Sequence, residues 1–91
     1  MKTSGNYSNG QAVKKQKGDI LTYYHKDGKI KAQGKCIDGS FEGRWEFYKK
    51  EGFLWNVGHF ENNKKQGKWI RYRADGSIEK EQTFEQNKEV K

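Results

Sequence analysis

The sequence has a single cysteine, few apolar residues and no long apolar run. One cysteine, Cys36, excludes an internal disulfide. No stretch approaches the ~18–20 apolar residues of a membrane span. The N-terminus, MKTSGNYSNG, lacks the apolar centre of a signal peptide. These absences predict a soluble, cytoplasmic protein, with a leader cut from a longer precursor as the alternative. Hydrophobic residues make up 31% of the 91, below the ~45–50% of ordinary domains, a figure that also counts Gly. That scarcity points first to disorder. However, 3 Trp, 5 Tyr and 5 Phe are more aromatics than disordered chains carry. What remains is a thin structure, sheet or repeat, with much surface and little interior. The length allows one domain, residues 1–91.

The net charge of +7 is unevenly spread. Residues 1–35 carry eight Lys against two Asp, and residues 64–73 carry five cations and no acid. The segments 36–63 and 74–91 are each acidic by two. Two basic blocks could attract nucleic acid, an acidic protein or an anionic lipid surface. The plainer reading is solubility, because a sheet with little core needs a charged exterior.

An internal repeat organises the chain. Tyr24, Tyr48 and Tyr72 are 24 residues apart, as are Gly28, Gly52 and Gly76. Trp45 and Trp69 keep the same spacing, with Leu21 in the matching place before them. Ile30, Leu54 and Ile78 form a column, as do Cys36, Phe60 and Phe84. Gly34 and Gly58 form another, where the third unit has Gln82. Three ungapped units result, residues 20–43, 44–67 and 68–91. A half unit precedes them over about residues 5–19, begun by Gly5-Asn6-Tyr7.

Each unit reads as a β-hairpin, since apolar spacing is not 3.6 and glycine recurs too often for helix. The predicted fold is all-β: an antiparallel meander of 24-residue hairpins, about seven strands in a single elongated coiled sheet. Asp27-Gly28, Asp75-Gly76 and, more weakly, Glu51-Gly52 signal two-residue type I′ turns. Such a turn sets Trp45 opposite Gly58, Phe47 opposite Asn56 and Tyr48 opposite Trp55. By the same rule Leu21 faces Gly34 and Trp69 faces Gln82. The Trp45 ring would then cover the bare backbone of Gly58. Alternation predicts one core face: Trp45, Phe47, Leu54 and Phe60, with Leu21, Tyr23, Ile30 and Cys36 before them and Trp69, Arg71, Ile78 and Phe84 after. The other face carries Tyr48, Phe53, Trp55 and Val57 in unit 2, and is polar apart from Tyr24 and Tyr72 in units 1 and 3. The apolar face is to be covered by coiling into a trough or by a second copy.

The residues Gly43, Trp45, Tyr48, Gly52, Leu54, Gly58, Phe60 and Gly67 resemble the MORN-type repeat. They are closest to the bacterial variant in proteins labelled YwqK-family antitoxin components. The resemblance covers residues 20–91 and implies strings of β-hairpins, protein–protein contact, self-association and in some cases lipid contact. The antitoxin label implies a toxin partner. The sequence departs from the pattern at Leu21, at Gln82 and in having no closing Gly-x-Trp after Glu89.

Catalytic and metal chemistry find little support. His25, His59 and Cys36 lack metal-ligand spacing. Cys36 with His59 is the one nucleophile–base candidate, and Cys36 sits in a phenylalanine column, as a small core residue would. Asp27, Glu51 and Asp75 are turn formers. The sequence therefore predicts a non-enzymatic binding module with no cofactor, no metal and no small-molecule substrate. The expected partner is another protein, a toxin or scaffold component, or a second copy. It would dock on Tyr48, Phe53, Trp55 and Val57, ringed by Lys29, Lys31, Lys49 and Lys50. The alternative is nucleic acid or anionic lipid on Tyr24, Tyr48, Trp55 and Tyr72 with Lys31, Lys49, Arg71 and Arg73.

Overall fold

A computed structural model describes residue 8 and residues 10–90; the expected strand start at Gly5-Asn6-Tyr7 lies outside the described residues. Among the described residues, nine antiparallel strands form one sheet: β1 (Lys14–Lys17), β2 (Ile20–Tyr24), β3 (Ile30–Ile37), β4 (Ser40–Tyr48), β5 (Leu54–Glu61), β6 (Lys64–Lys65), β7 (Gly67–Tyr72), β8 (Ile78–Glu85) and β9 (Lys88–Val90). They run in chain order, with the short β6 continuing into β7 alongside β5. The chain is an all-β meander, and among the described residues no helix is long and apolar enough to cross a membrane. The count exceeds seven because β9 is a third strand within residues 68–91 and because one strand is divided into β6 and β7 just before Gly67, whose φ is 77°.

The sheet is open and does not coil into a trough. It measures 44 × 33 × 19 Å, with a radius of gyration of 14.3 Å. A compact domain of this length has about 12 Å. Its aromatic face is instead lidded by its own rings. Leu21, Ala32, Cys36 and Trp45 are buried together, with Tyr23, Phe41, Phe47 and Phe60 packed on them.

The two-residue turns occur at the opposite ends of the hairpins from those expected. Asp38-Gly39, Asn62-Asn63 and Gln86-Asn87 have positive φ at both positions, as type I′ requires. At Asp27-Gly28, Glu51-Gly52 and Asp75-Gly76 only the glycine has positive φ, at 92°, 107° and 89°. These are three-residue loops: the glycine N–H donates to the carbonyls of His25, Lys49 and Arg73 at 2.8–2.9 Å. The Asp27 and Asp75 carboxylates brace two of these loops. They accept the N–H of Lys29 and Ser77 at 3.0 and 2.9 Å. Such Asx turns hold the acid out of the positive-φ region.

A bulge two strand positions from each loop absorbs the extra residue. Phe47 pairs with Asn56 and Tyr48 with Leu54, so Trp55 is left without an opposite residue. Lys31 and Glu79 are left over in the same way beside β2 and β7. The expected pairing of Tyr48 with Trp55 is therefore overturned. Beyond the bulge the register is as expected: Trp45 opposite Gly58, Leu21 opposite Gly34, Trp69 opposite Gln82.

Two further expectations are corrected by the same geometry. Ile30, Leu54 and Ile78 leave the core face and pair with Tyr24, Tyr48 and Tyr72 on the reverse side, where Ile30 and Ile78 are exposed. The ring over Gly58 is Trp69, from the next unit, and the ring over Gly34 is Trp45; a Cβ at either glycine would run into the indole. Each tryptophan thus leans back across the sheet. Its indole Nε1–H donates to Lys35 O (Trp45, 2.9 Å) or His59 O (Trp69, 3.1 Å).

Candidate functional site

The core rings continue into a half-open groove. Trp45 is fully buried and stacks on Phe41, centroids 4.0 Å apart and planes 15° from parallel. Phe60 meets both Trp45 and Trp69 edge-on, and Phe84 meets Trp69 edge-on. Edge-to-face contacts suit ring quadrupoles, so these contacts stabilise the row. Past it the rings no longer touch on all sides. A groove of about 220 Å³ opens between Phe47, Trp55 and Phe60 on one side and Trp69 and Phe84 on the other, with Lys65, Arg71, Asn56 and Gln82 among its lining.

The groove owes its shape to three positions where this sequence breaks its own columns. The column Tyr23, Phe47, Arg71 loses its ring at Arg71. The glycine column Gly34, Gly58 becomes Gln82. The bulge column, charged at Lys31 and Glu79, carries Trp55 in the middle unit. All three side chains meet in this one groove.

Its electrostatics are one-sided. The Lys49 ammonium lies 4.1 Å and the Arg71 guanidinium 5.3 Å from the Trp55 ring centroid. Lys65 lies over both Trp69 and Phe84, at 5.0 and 4.8 Å. Arg71 stands between Asn56 and Lys80 on its two neighbouring strands. Its Nε is out of contact with solvent and has no hydrogen-bond partner. Among the described residues, no carboxylate lines this groove.

A second, shallower groove of about 380 Å³ shares Phe47 and Trp55 with the first and adds His25, Lys31, Tyr48, Lys49, Lys50 and Glu51. Of the predicted docking residues it gathers Tyr48, Trp55, Lys31, Lys49 and Lys50. Phe53 lines neither groove, and its carbonyl accepts the Lys49 N–H at 3.0 Å. Val57 is buried on the reverse face, paired with Glu46 and Ile70. The four residues expected to share one face are therefore divided, because the bulge carries Trp55 to the tryptophan side. Tyr48 donates its hydroxyl to Glu46 at 3.0 Å. Burial, that hydrogen bond and the Glu46 charge together raise the Tyr48 pKa, while the Arg44 charge pulls the other way.

Sequence reasoning did not place Phe60, Lys65, Trp69, Phe84 and Gln82 at a site. The available signal was the loss of the ring at Arg71 in an otherwise aromatic column. Cys36 is buried beside Leu21, Ala32 and Trp45, whereas His59 is exposed, so the nucleophile–base pairing lacks the shared cleft it would need. Comparison with protein families, curated proteins and solved structures finds no match to this chain.

Proposed function

We propose that this chain is a non-enzymatic, MORN-like repeat module that binds another protein through the groove around Trp55. The observation carrying this reading is the convergence of Trp55, Arg71 and Gln82 in one groove. Each of the three departs from its own column, and the three lie together. The walls are aromatic and the rim is cationic, a mix that Trp and Arg give to the centres of protein interfaces. An antitoxin or scaffold role fits such a module, with the resemblance to the YwqK-type repeat as its support.

The experiment is a differential capture. Proteins retained by the parent chain are compared with those retained by Trp55→Ser and by Lys17→Gln, a change on β1 at the opposite edge of the sheet. The reading requires a partner held by the parent and by Lys17→Gln and lost from Trp55→Ser. If every retained protein is indifferent to Trp55, the groove is not the interface.

A further inference from the structure

The proposal here rests on the groove being the binding site and names the chemistry of what enters it. We infer that the groove receives a carboxylate carried beside an apolar side chain, the anchor of an acidic peptide segment of the partner. Arg71 and Lys65 take the carboxylate, and Trp55, Phe60 and Phe84 hold the apolar group.

The cations point to this ligand. Among the described residues, ion pairs join Lys29 to Asp27, Arg44 to Glu46 and Lys68 to Glu81, and none reaches Arg71, Lys65 or Lys49. Those three rest on aromatic rings instead. A cation on an exposed ring gains little, about 0.5–1 kcal/mol. A charge-assisted hydrogen bond to a carboxylate is stronger, and a guanidinium makes two in parallel. Arg71 has its Nε unsatisfied and faces Lys80 across the strand pair, a like-charge juxtaposition that an incoming anion relieves.

The volume decides the size of the anchor. About 220 Å³ falls below the ~300–1,000 Å³ typical of small-molecule pockets, and suits a residue or two. The ring geometry disfavours nucleic acid. Base stacking needs free ring faces, yet Trp69 is 6% exposed over Gly58, and Trp55 lies under Lys49 and Arg71.

The test uses the full chain and two capped peptides, one alternating Phe with Glu and one alternating Phe with Gln, with a thymidine oligonucleotide as competitor. Binding is followed by the indole N–H resonances of Trp55 and Trp69. The Phe-Glu peptide is expected to bind about tenfold more tightly than the Phe-Gln peptide, the worth of one charged hydrogen bond. Arg71→Gln should abolish that ratio while leaving the weaker Phe-Gln affinity in place. If Arg71→Gln fails to fold, Lys65→Gln supplies the same comparison, with the ratio reduced. Equal affinity for the two peptides overturns the carboxylate anchor and leaves the aromatic groove standing. No indole shift with either peptide overturns both. Oligonucleotide binding that is tighter than the Phe-Glu peptide and lost in Arg71→Gln overturns the inference in favour of nucleic acid.

Discussion

Trp69 lies over Gly58 with its indole N–H donating to the carbonyl of His59 at 3.1 Å, and Trp45 stands in the same relation to Gly34 and Lys35. The glycine belongs to one unit and the tryptophan to the next, so the pair is the seam between units. Gln82 holds the corresponding place in the third unit, opposite Trp69. At Gly34 and Gly58 glycine is thus needed because a ring comes down on the backbone. Accordingly Gly58→Ala and Gly34→Ala should each destabilise by about 1–3 kcal/mol, the range for overfilling a packed site. Gln82→Ala should stay within about 0.5 kcal/mol. Urea unfolding of the three variants checks this, and equal losses at all three sites would refute the seam.

A second seam contact lies at the other end of the hairpins. The Asn63 side-chain oxygen accepts the Phe41 N–H at 2.9 Å, and the Asn63 N–H donates to the Phe41 carbonyl at 3.0 Å. Asn87 repeats both bonds with Lys65. Asn63 also holds φ at 72°. Replacement by Gly keeps that backbone and removes the side-chain bond, for a cost of about 1 kcal/mol. Replacement by Val adds the strain of a β-branched residue at positive φ. Thermal melts should therefore rank parent above Asn63→Gly above Asn63→Val. Asn63→Gly melting below Asn63→Val would show that φ is not what asparagine supplies.

The period, the strand class and most of the register were legible because they depend on spacing alone. Trp45 opposite Gly58 and Leu21 opposite Gly34 followed from the columns. The site was not legible, because its key residue sits on a bulge. A two-residue turn with no bulge and a three-residue loop with one give the same pairing from Phe47 onward. They differ only in which face Trp55, Leu54, Ile30 and Ile78 take. The longer loop forms at Glu51-Gly52 as well as at Asp27-Gly28 and Asp75-Gly76, where an Asp side-chain bond braces it, and an acid-glycine pair in the sequence reads alike for both loop lengths. The seam was misread for a related reason. Trp45 faces Gly58 on one side and Gly34 on the other, and only ring orientation tells which glycine it covers.

Tyr48 makes stability depend on alkaline pH. Burial first, then the bond and charge of Glu46, raise its folded pKa. A raised tyrosine favours the neutral form, so its contribution is fully present below the unfolded value, about 10. It is lost as pH rises through the higher folded value. Absorbance titration should show one tyrosine ionising later than the rest, and Tyr48→Phe should remove that late component. Glu46→Gln should bring the component back toward the others. An unchanged titration in Glu46→Gln would remove Glu46 as a cause.

The two tryptophans on either side of Phe47 separate stability from binding. Trp45 has no exposed surface and stacks on Phe41, while Trp55 is half-buried on a bulge with no residue opposite it in the ladder. Trp45→Ser deletes the centre of the buried cluster, at about 3–5 kcal/mol. That approaches the whole stability of a small domain, about 5–10 kcal/mol. Trp55→Ser forfeits two cation–ring contacts and some half-buried area, about 1 kcal/mol. Circular dichroism and urea titration should find Trp45→Ser unfolded or close to it and Trp55→Ser folded. With its fold intact, Trp55→Ser should then bind the acidic aromatic peptide at least about tenfold more weakly, because the wall shared by both grooves is gone. A folded Trp45→Ser beside an unfolded Trp55→Ser would reverse these assignments. Loss of peptide binding in a folded Trp45→Ser, with Trp55→Ser unaffected, would move the interface to the Trp45 end of the aromatic row.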